Sequence, residues 1–390
     1  MKRLVNRSLH RVLHAALLLA AAAGAIAAES PPAPLALEQP GIATLGPAQP
    51  HWILVNDFNA LGPMDSKVYL FDADTGAMLG MLSTGGWRNT VEIAPDFSTI
   101  YSAETYYPRG TRGERTDVVT FYDGRTLGVA GEVVIPPKRA TGMPQRAYGG
   151  RSDDGRFVYV ANMTPAASVS VVDTEARTLA AEIETAGCAL VYPFGDRRFG
   201  SLCGDGTLQV VTLDDAGRLA TRTRSERFFD PEADPVTEKA ARIGDTWLFF
   251  SFEGHAHPVT VTGDTAQVGT SWSLFDTTER EDGWRVGGLG FAAIHEASRR
   301  LYVIVHQGGP DTHKHPGEQV WVYDLDTRRR VQTITLKSPA AVVAVSRDAA
   351  PLLYTTTLEV PAIMVYDART GELARVIEGP PFNPTFVQTP

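Results

Sequence analysis

The 390-residue sequence predicts an all-β protein: a seven-bladed β-propeller of four-stranded antiparallel blades, with the ring closed by the C-terminal strand. Three observations support this. A hairpin motif recurs seven times, further strand-like runs precede its copies, and one strand-like run is left over at the end of the chain. With 43% apolar residues, 36 glycines and 26 prolines, the chain can form a large core joined by many turns.

The recurring motif is an apolar run that ends in a polar turn and then resumes. Its first copy spans residues 68–80, where Asp74, Thr75 and Gly76 supply the turn and its positive-φ position. Close copies lie at 119–123, 169–173, 320–324 and 363–367, and weaker ones at 208–213 and 258–263. A period of about 49 residues is typical of propeller blades.

Each hairpin gains two further strands from the residues before it. One is predicted at 51–58, 99–107, 157–163, 198–203, 246–252, 301–306 and 352–358. A fourth strand is predicted at 90–94, 148–151, 188–192, 239–243, 290–295 and 341–346. The first repeat lacks this innermost strand, so we expect residues 382–390 to supply it and leave no open edge. A solenoid with two capped ends is the alternative.

The remaining segments predict export. Residues 1–28 combine a basic start, an apolar run too short to span a bilayer and a small-residue cleavage site, which together indicate a secretory signal peptide. Residues 29–50 carry six prolines and predict an extended N-terminal arm, leaving 51–390 for the propeller. Without the signal, the chain has 32 basic and 45 acidic residues, which gives a net charge of about −13. This charge argues against a nucleic-acid partner, and no later segment predicts membrane insertion.

Two cysteines flank a predicted hairpin. If Tyr192 faces Phe199, the register places Cys188 opposite Cys203. One disulfide, worth about 3 kcal/mol in the chain-entropy model, is the simplest prediction for an exported chain. Two reduced, buried thiols are the alternative.

No catalytic constellation stands out in the sequence. His255 and His257, like His313 and His315, have the alternating spacing that places two imidazoles on one face of a strand. Neither pair has a cysteine or carboxylate at metal-motif spacing, so we expect ordinary histidines and no metal site. Nucleophile elbows, phosphate loops and zinc-protease motifs are also missing from the sequence, which predicts a scaffold.

Residues 109–117 form a polar insertion between two strands of the second blade, directly after Tyr106 and Tyr107. Aromatic and arginine residues at a loop tip are typical of a recognition surface. A solvated loop held by internal salt bridges is the alternative.

The chain resembles a known family, the heavy subunits of the tryptophan tryptophylquinone-dependent amine dehydrogenases. The resemblance covers essentially the whole mature chain. It is carried by residues 112–118, 187–188, 203–206, 282–288 and 312–314. It implies a propeller that binds no cofactor and carries no catalytic residue, because the tryptophan tryptophylquinone and the catalytic base lie on a small light subunit.

The resemblance also implies a setting and a set of partners. Two heavy and two light subunits assemble in the periplasm, a primary amine is oxidised to aldehyde and ammonia, and electrons pass to a copper protein of the amicyanin or azurin type. The candidate residues for the light-subunit interface or the amine channel are Phe58, Leu61, Tyr106, Tyr107, Arg112 and Arg115. Strand direction predicts that the inserts at 58–66, 106–117, 276–288 and 307–319 emerge on one face, which we expect to receive the light subunit.

The substrate and the function class stay open at this point. The loop 58–66 and the run 135–139 are closer to the aromatic amine branch of the family, whereas residues 112–117 are closer to the methylamine branch. The rival functions are a stand-alone periplasmic propeller that acts as a binding module, and a self-sufficient hydrolase or lactonase propeller. The latter would need a metal cluster on the central channel, and the sequence offers none.

Overall fold

Antiparallel sheets arranged in a ring form the fold. The computed structural model describes residues 41, 43–57, 62, 64–357 and 360–390, and its strands all lie within the unit Thr44–Pro390. Blades one to four contain β1 (Trp52–Asp57), β2 (Lys67–Asp72), β3 (Met78–Ser83), β4 (Gly86–Ile93), β5 (Thr99–Tyr106), β6 (Thr116–Asp123), β7 (Val129–Ile135), β8 (Gly149–Arg151), β9 (Phe157–Asn162), β10 (Ser168–Asp173), β11 (Thr178–Glu184), β12 (Cys188–Phe194), β13 (Arg198–Cys203), β14 (Leu208–Leu213) and β15 (Leu219–Arg224).

Blades five to seven and the closing strand follow. They contain β16 (Val236–Ile243), β17 (Thr246–Ser251), β18 (His255–Thr262), β19 (Thr265–Val268), β20 (Trp272–Ser273), β21 (Trp284–Val286), β22 (Ala292–His295), β23 (Arg300–Gln307), β24 (Gly317–Asp324), β25 (Arg329–Ala340), β26 (Val342–Val345), β27 (Leu352–Thr356), β28 (Ala362–Asp367), β29 (Leu373–Glu378) and β30 (Pro384–Gln388). A 3₁₀ turn covers Arg146–Tyr148, and one short helix, α1, covers Thr277–Glu281 behind an Asp276 capping box. In the part of the chain that the structure describes, no helix is long and apolar enough to cross a membrane.

The predicted seven-bladed propeller is confirmed, and so is its closure. The first blade has the strand order β3-β2-β1-β30, so the end of the chain supplies its inner strand. Val55 pairs with Val387 and Leu54 with Gln388. Val387 also packs in the core between the first and seventh blades, together with Tyr354. Closure therefore removes the free edge that β1 would otherwise present.

The Asp-containing turn of the repeat has a consistent geometry. In the first blade the Asp72 carboxylate accepts hydrogen bonds from the backbone of Asp74 and the hydroxyl of Thr75, at 2.9 Å each. The Gly76 N–H then donates to the Asp72 carbonyl at 2.7 Å, with φ +80° at Gly76. Where other copies lack glycine, Leu127, Arg177 and Arg328 adopt the same left-handed conformation, with φ between 52° and 58°. The aspartate therefore defines this turn more consistently than the glycine does.

Two blades depart from the predicted four strands. In the sixth blade two segments occupy the inner position: β22 lies within the strand predicted at 290–295, and β21, which was not predicted, precedes it and also pairs with β23. Gly287 lies between them, and a side chain there would meet the His306 ring at 2.4 Å. In the fifth blade, β20 pairs with β18 as a short extra segment.

The direction of the strands gives the ring two distinct faces. Connections from second to third strands, and those between blades, emerge on one face, which we call the loop face. The shorter turns from inner to second strands emerge on the opposite, turn face. The inner strands surround a central channel with a cavity of about 1010 Å³.

Candidate partner-binding face

Three of the four long inserts lie on the loop face in full: 106–117, 276–288 and 307–319. The described part of the fourth joins them, because Ser66 N–H donates to the Gly85 carbonyl at 2.9 Å in the connection to the second blade. Phe58 and Leu61 lie outside the described residues. The face therefore carries the irregular, variable-length part of the chain, as the sequence predicts.

Two tyrosines at the start of the 106–117 insert contact the neighbouring inter-blade connection. The Tyr106 side chain is 42% exposed, and its hydroxyl donates to Glu104 Oε2 at 2.5 Å. Its ring lies against Gly85, where an added Cβ would approach to 2.8 Å. The Tyr107 ring meets the Trp87 ring edge-on, with centroids 6.3 Å apart. We call these three rings the aromatic rim of the loop face.

The two arginines predicted at the interface differ in their surroundings. Arg112 is exposed at the hairpin tip, where its carbonyl accepts from Arg109 N–H at 3.1 Å. Arg115 instead folds inward and forms two parallel 2.8 Å hydrogen bonds to Asp117. It also donates to the Arg139 carbonyl at 2.8 Å. The contacts of Arg115 are thus structural, which matches the alternative of an insert held by internal salt bridges; its place at an interface stays a prediction.

A buried charge network supports this insert from below. Asp117 is fully buried and accepts from Thr105 Oγ1 at 2.8 Å and from Arg139 N–H at 2.9 Å. Arg139, only 1% exposed, donates to the carbonyls of Trp87 and Arg88 at 2.9 Å each. Burial lowers the pKa of Arg139 to about 10, although Asp117 opposes that shift. Removing either partner would leave a buried charge uncompensated.

The carbonyls that Arg139 holds belong to a strained segment. Trp87 and Arg88 have φ of +63° and +55°, so two consecutive residues with side chains occupy the left-handed region. Each such residue costs on the order of 1–3 kcal/mol and tends to occur at functional sites. Within the described chain, Trp87 Nε1 and Asn89 Nδ2 are buried without a hydrogen-bond partner. The segment therefore keeps an unfavourable conformation beside the aromatic rim, which marks it as a candidate for binding.

A buried acid stabilises the tyrosine rim. Glu104 is fully buried and accepts hydrogen bonds from the hydroxyls of Tyr106, Tyr122 and Thr120. Burial raises the pKa of Glu104, and these hydroxyl donors offset only part of the shift. Burial and the Glu104 charge raise the pKa values of Tyr106 and Tyr122 in turn. Neither phenol is therefore an ionised group near neutral pH.

The predicted disulfide between Cys188 and Cys203 is present. Cys188 faces Cys203 across β12 and β13, but the register assumed further along the hairpin is wrong, because Tyr192 faces Gly200. A bulge at Leu190, with φ +72°, inserts one residue between the two regions. The cysteines nevertheless remain opposite each other.

The histidine pairs have protein partners. His255 Nδ1 lies 2.9 Å from Asp234 Oδ2, and His257 Nδ1 lies 2.8 Å from Ser271 Oγ. His313 packs on the Phe252 ring, with centroids 3.8 Å apart. Among the described residues, no group of three or more His, Cys, Asp or Glu side chains could hold a metal ion.

A smaller cavity of about 250 Å³ opens on the same face, between the fifth and sixth blades. Its charged lining residues are mainly acidic: Glu232, Asp234, Glu253 and Asp311 with Arg285. His313 closes one side of it. The loop face is therefore aromatic and arginine-bearing at the second blade and acidic near the sixth.

Comparisons with solved structures agree on the fold. The chain superimposes on dihydro-heme d1 dehydrogenase NirN with a TM-score of 0.54 at 18% identity, covering 88% of this chain and 66% of that one. It superimposes on a functionally unknown protein from Desulfotomaculum acetoxidans with a TM-score of 0.57 at 11% identity, covering 87% and 98%. At these identities the likeness defines the class of protein, a β-propeller, and nothing finer.

Sequence comparisons define the family. The family model for the methylamine dehydrogenase heavy chain matches residues 51–389. The chain is 28% identical over 320 residues to the methylamine dehydrogenase heavy chain of Methylophilus methylotrophus, covering 81% of this chain and 78% of that one. It is 28% identical over 327 residues to that of Paracoccus versutus, covering 83% and 76%. The chain belongs to the methylamine dehydrogenase heavy chain family.

Proposed function

We propose that this chain is the heavy subunit of a periplasmic amine dehydrogenase, which oxidises a primary amine to an aldehyde and ammonia. The observation that carries the proposal is the family match over 51–389, which includes every blade of the ring. In this assignment the tryptophan tryptophylquinone belongs to a light subunit and supplies the redox chemistry, while this chain forms the scaffold and the wall of the amine channel. Electrons leave to a cupredoxin of the amicyanin or azurin type.

The location and assembly follow from the same assignment. The signal-like residues 1–28 and the Cys188–Cys203 disulfide both support export to an oxidising compartment. Two heavy and two light subunits would form the complete enzyme. The arm at 29–50 would precede the propeller domain at 51–390; from its described part, Leu45 N–H donates to the Arg125 carbonyl at 2.8 Å.

The light subunit would dock on the loop face at the second blade. The aromatic rim of Tyr106 and Tyr107, with Trp87 behind it, presents rigid rings, and Arg112 extends an exposed cation beside them. Aromatic and arginine side chains are the most frequent anchors of protein interfaces, and truncating one typically costs about 2 kcal/mol or more.

Co-expression with a light subunit tests both the role and the docking face. The complex should oxidise methylamine or an aromatic amine such as benzylamine with a dye acceptor, and the two amines separate the branches of the family. Tyr107→Ala and Arg112→Ala should weaken co-purification of the light subunit and lower amine oxidation. Arg125→Ala is the matched control, because it removes an exposed arginine from the turn face of the same blade. Amine oxidation by the heavy chain alone would overturn the division of labour, and wild-type assembly of both variants would overturn the docking face.

A further inference from the structure

Two arginine side chains in the central channel have no carboxylate of the described residues within ion-pair distance. The other basic residues that line the cavity are paired: Arg146 with Glu92, Lys239 with Glu238 at 2.8 Å and Arg242 with Asp153 at 2.6 Å. Arg151 donates only to the backbone carbonyls of Ser152 and Asp153, at 2.8 and 3.2 Å. Among the described residues, Arg347 makes no hydrogen bond or ion pair at all.

Arg151 and Arg347 lie at the same end of the channel. Arg151 is the last residue of β8, and Arg347 follows the end of β26 by two residues. All inner strands run in the same direction around the ring, so both arginines stand where the channel opens on the turn face. They come from the third and seventh blades, which are not neighbours, and both line the same cavity.

The side-chain carboxylates of Asp153 and Glu296 line the cavity at this opening and are engaged by other groups, and the C-terminal carboxylate of Pro390, which also lines the cavity, forms no ion pair with either arginine. Asp153 forms two hydrogen bonds to Arg242, at 2.6 and 2.7 Å. Glu296 accepts from Gly244 N–H at 3.0 Å on the adjoining blade. The positive charges of Arg151 and Arg347 are therefore not compensated by a carboxylate at contact distance.

The electrostatic surroundings of Arg347 agree with this geometry. Arg347 is exposed to solvent at the channel opening, but partial desolvation by the surrounding ring lowers its pKa, and the positive charges of Arg151 and Arg146 lower it further, while Glu296 and Glu92 oppose the shift. Like charges that converge in a water-accessible cavity are destabilising unless an anion joins them. Guanidinium groups bind oxyanions with paired hydrogen bonds, which makes arginine the preferred ligand for phosphate and carboxylate.

We propose that the turn-face end of the central channel binds a small polyvalent oxyanion, held between Arg151 and Arg347. The shared chemistry is a compact group with two or more negative charges, which inorganic phosphate and small organic polycarboxylates both provide. The site lies on the face opposite to the proposed light-subunit surface. It does not depend on the amine dehydrogenase assignment, because every residue it uses belongs to this chain.

Isothermal titration of the full-length exported chain at constant ionic strength tests the proposal. Inorganic phosphate and citrate are the two probes, and chloride is the monovalent control. We expect saturable binding of one anion per chain, with affinity at least tenfold weaker in Arg347→Gln and in Arg151→Gln. Phosphate binding without citrate binding would identify a phosphate site, and the reverse a carboxylate site.

The matched control is Arg329→Gln, which removes the same charge from an exposed position on the outer strand of the sixth blade. It should leave the affinity unchanged, and the anion should raise the melting temperature of the wild type but not of Arg347→Gln. Because Arg347 has no described contact to lose, this variant should fold as the wild type does without anion. The proposal is overturned if neither probe binds saturably, if Arg347→Gln binds like the wild type, or if Arg329→Gln loses as much affinity.

Discussion

Deleting residues 382–390 should destabilise the whole ring. The deletion removes β30, the inner strand of the first blade, and exposes the edge of β1. It also removes two backbone donors to the buried Asp57 carboxylate, the N–H groups of Phe382 and Asn383 at 2.8 and 3.1 Å. The loss therefore combines apolar burial, strand pairing and polar contacts at one site.

The structure sets the size of the effect. Phe386 and Val387 are only 8% and 9% exposed, and burying such side chains stabilises a protein by about 1.5–3 kcal/mol each, so their loss costs roughly 3–6 kcal/mol. That is a large part of the roughly 5–15 kcal/mol by which folded domains are stable. At about 2 °C per kcal/mol for a large domain, the melting temperature should fall by roughly 6–12 °C.

Thermal unfolding followed by circular dichroism measures this shift, and light scattering measures any aggregation through the exposed edge. Phe382→Ala is the matched control, because Phe382 lies in the same segment but is 73% exposed. It should change stability by no more than about 0.5 kcal/mol. If the truncated chain had the same melting temperature as the Phe382→Ala control, the view that β30 stabilises the whole ring would be refuted.

Three further substitutions test individual contacts. Asp117→Asn should cost about 3 kcal/mol in chemical denaturation, because it leaves the Arg115 guanidinium without its ion-pair partner and removes the negative charge that offsets the buried Arg139; a loss below about 1 kcal/mol would contradict the network. Burial lowers the pKa of His51, but Asp74 and a second carboxylate raise it more, so protonated His51 stabilises the fold at low pH and this contribution is lost as pH rises through the raised pKa. His51→Gln should therefore lower the melting temperature more at about pH 6 than at about pH 9, and an equal effect at both would speak against the ion pair. Arg328→Gly should raise stability by up to about 1 kcal/mol in chemical denaturation, because it relieves a left-handed residue; a loss would show that the side chain matters more than the strain.

The ring was predictable from sequence because its information is local and repeated. An apolar run ending in aspartate marks each hairpin, and the aspartate caps its own turn within three residues, as Asp72 and Asp123 do. The same turn forms where Leu127 or Arg328 stands in place of the glycine of the first repeat, since the aspartate supplies the hydrogen bonds. Seven copies then leave few alternatives for the topology.

The supporting structure of the loop face was not predictable in the same way. Arg139 reaches carbonyls that are 51 and 52 residues away in sequence, so no local pattern signals its burial. Trp87 adopts the left-handed conformation although it is not a glycine, so its residue type does not predict that conformation. The bulge at Leu190 shifts a register that strict alternation would continue. The first two features depend on contacts between residues far apart in the sequence, and the bulge on a local departure from alternation, and neither is contained in the repeating pattern of apolar residues and turns.

The pairing of Leu54 with Gln388 has a consequence for how the protein is made. The two strands of the first blade that must meet are separated by almost the whole chain, so the contact forms only after the last residues are synthesised. At about 5–20 residues per second, the edge of β1 waits on the order of 20–70 s for its partner. A contact with so large a sequence separation also forms slowly, because the intervening chain must first become ordered. Until the final residues arrive, the edge of β1 therefore stays without its strand partner, and an unpaired strand edge is prone to aggregation.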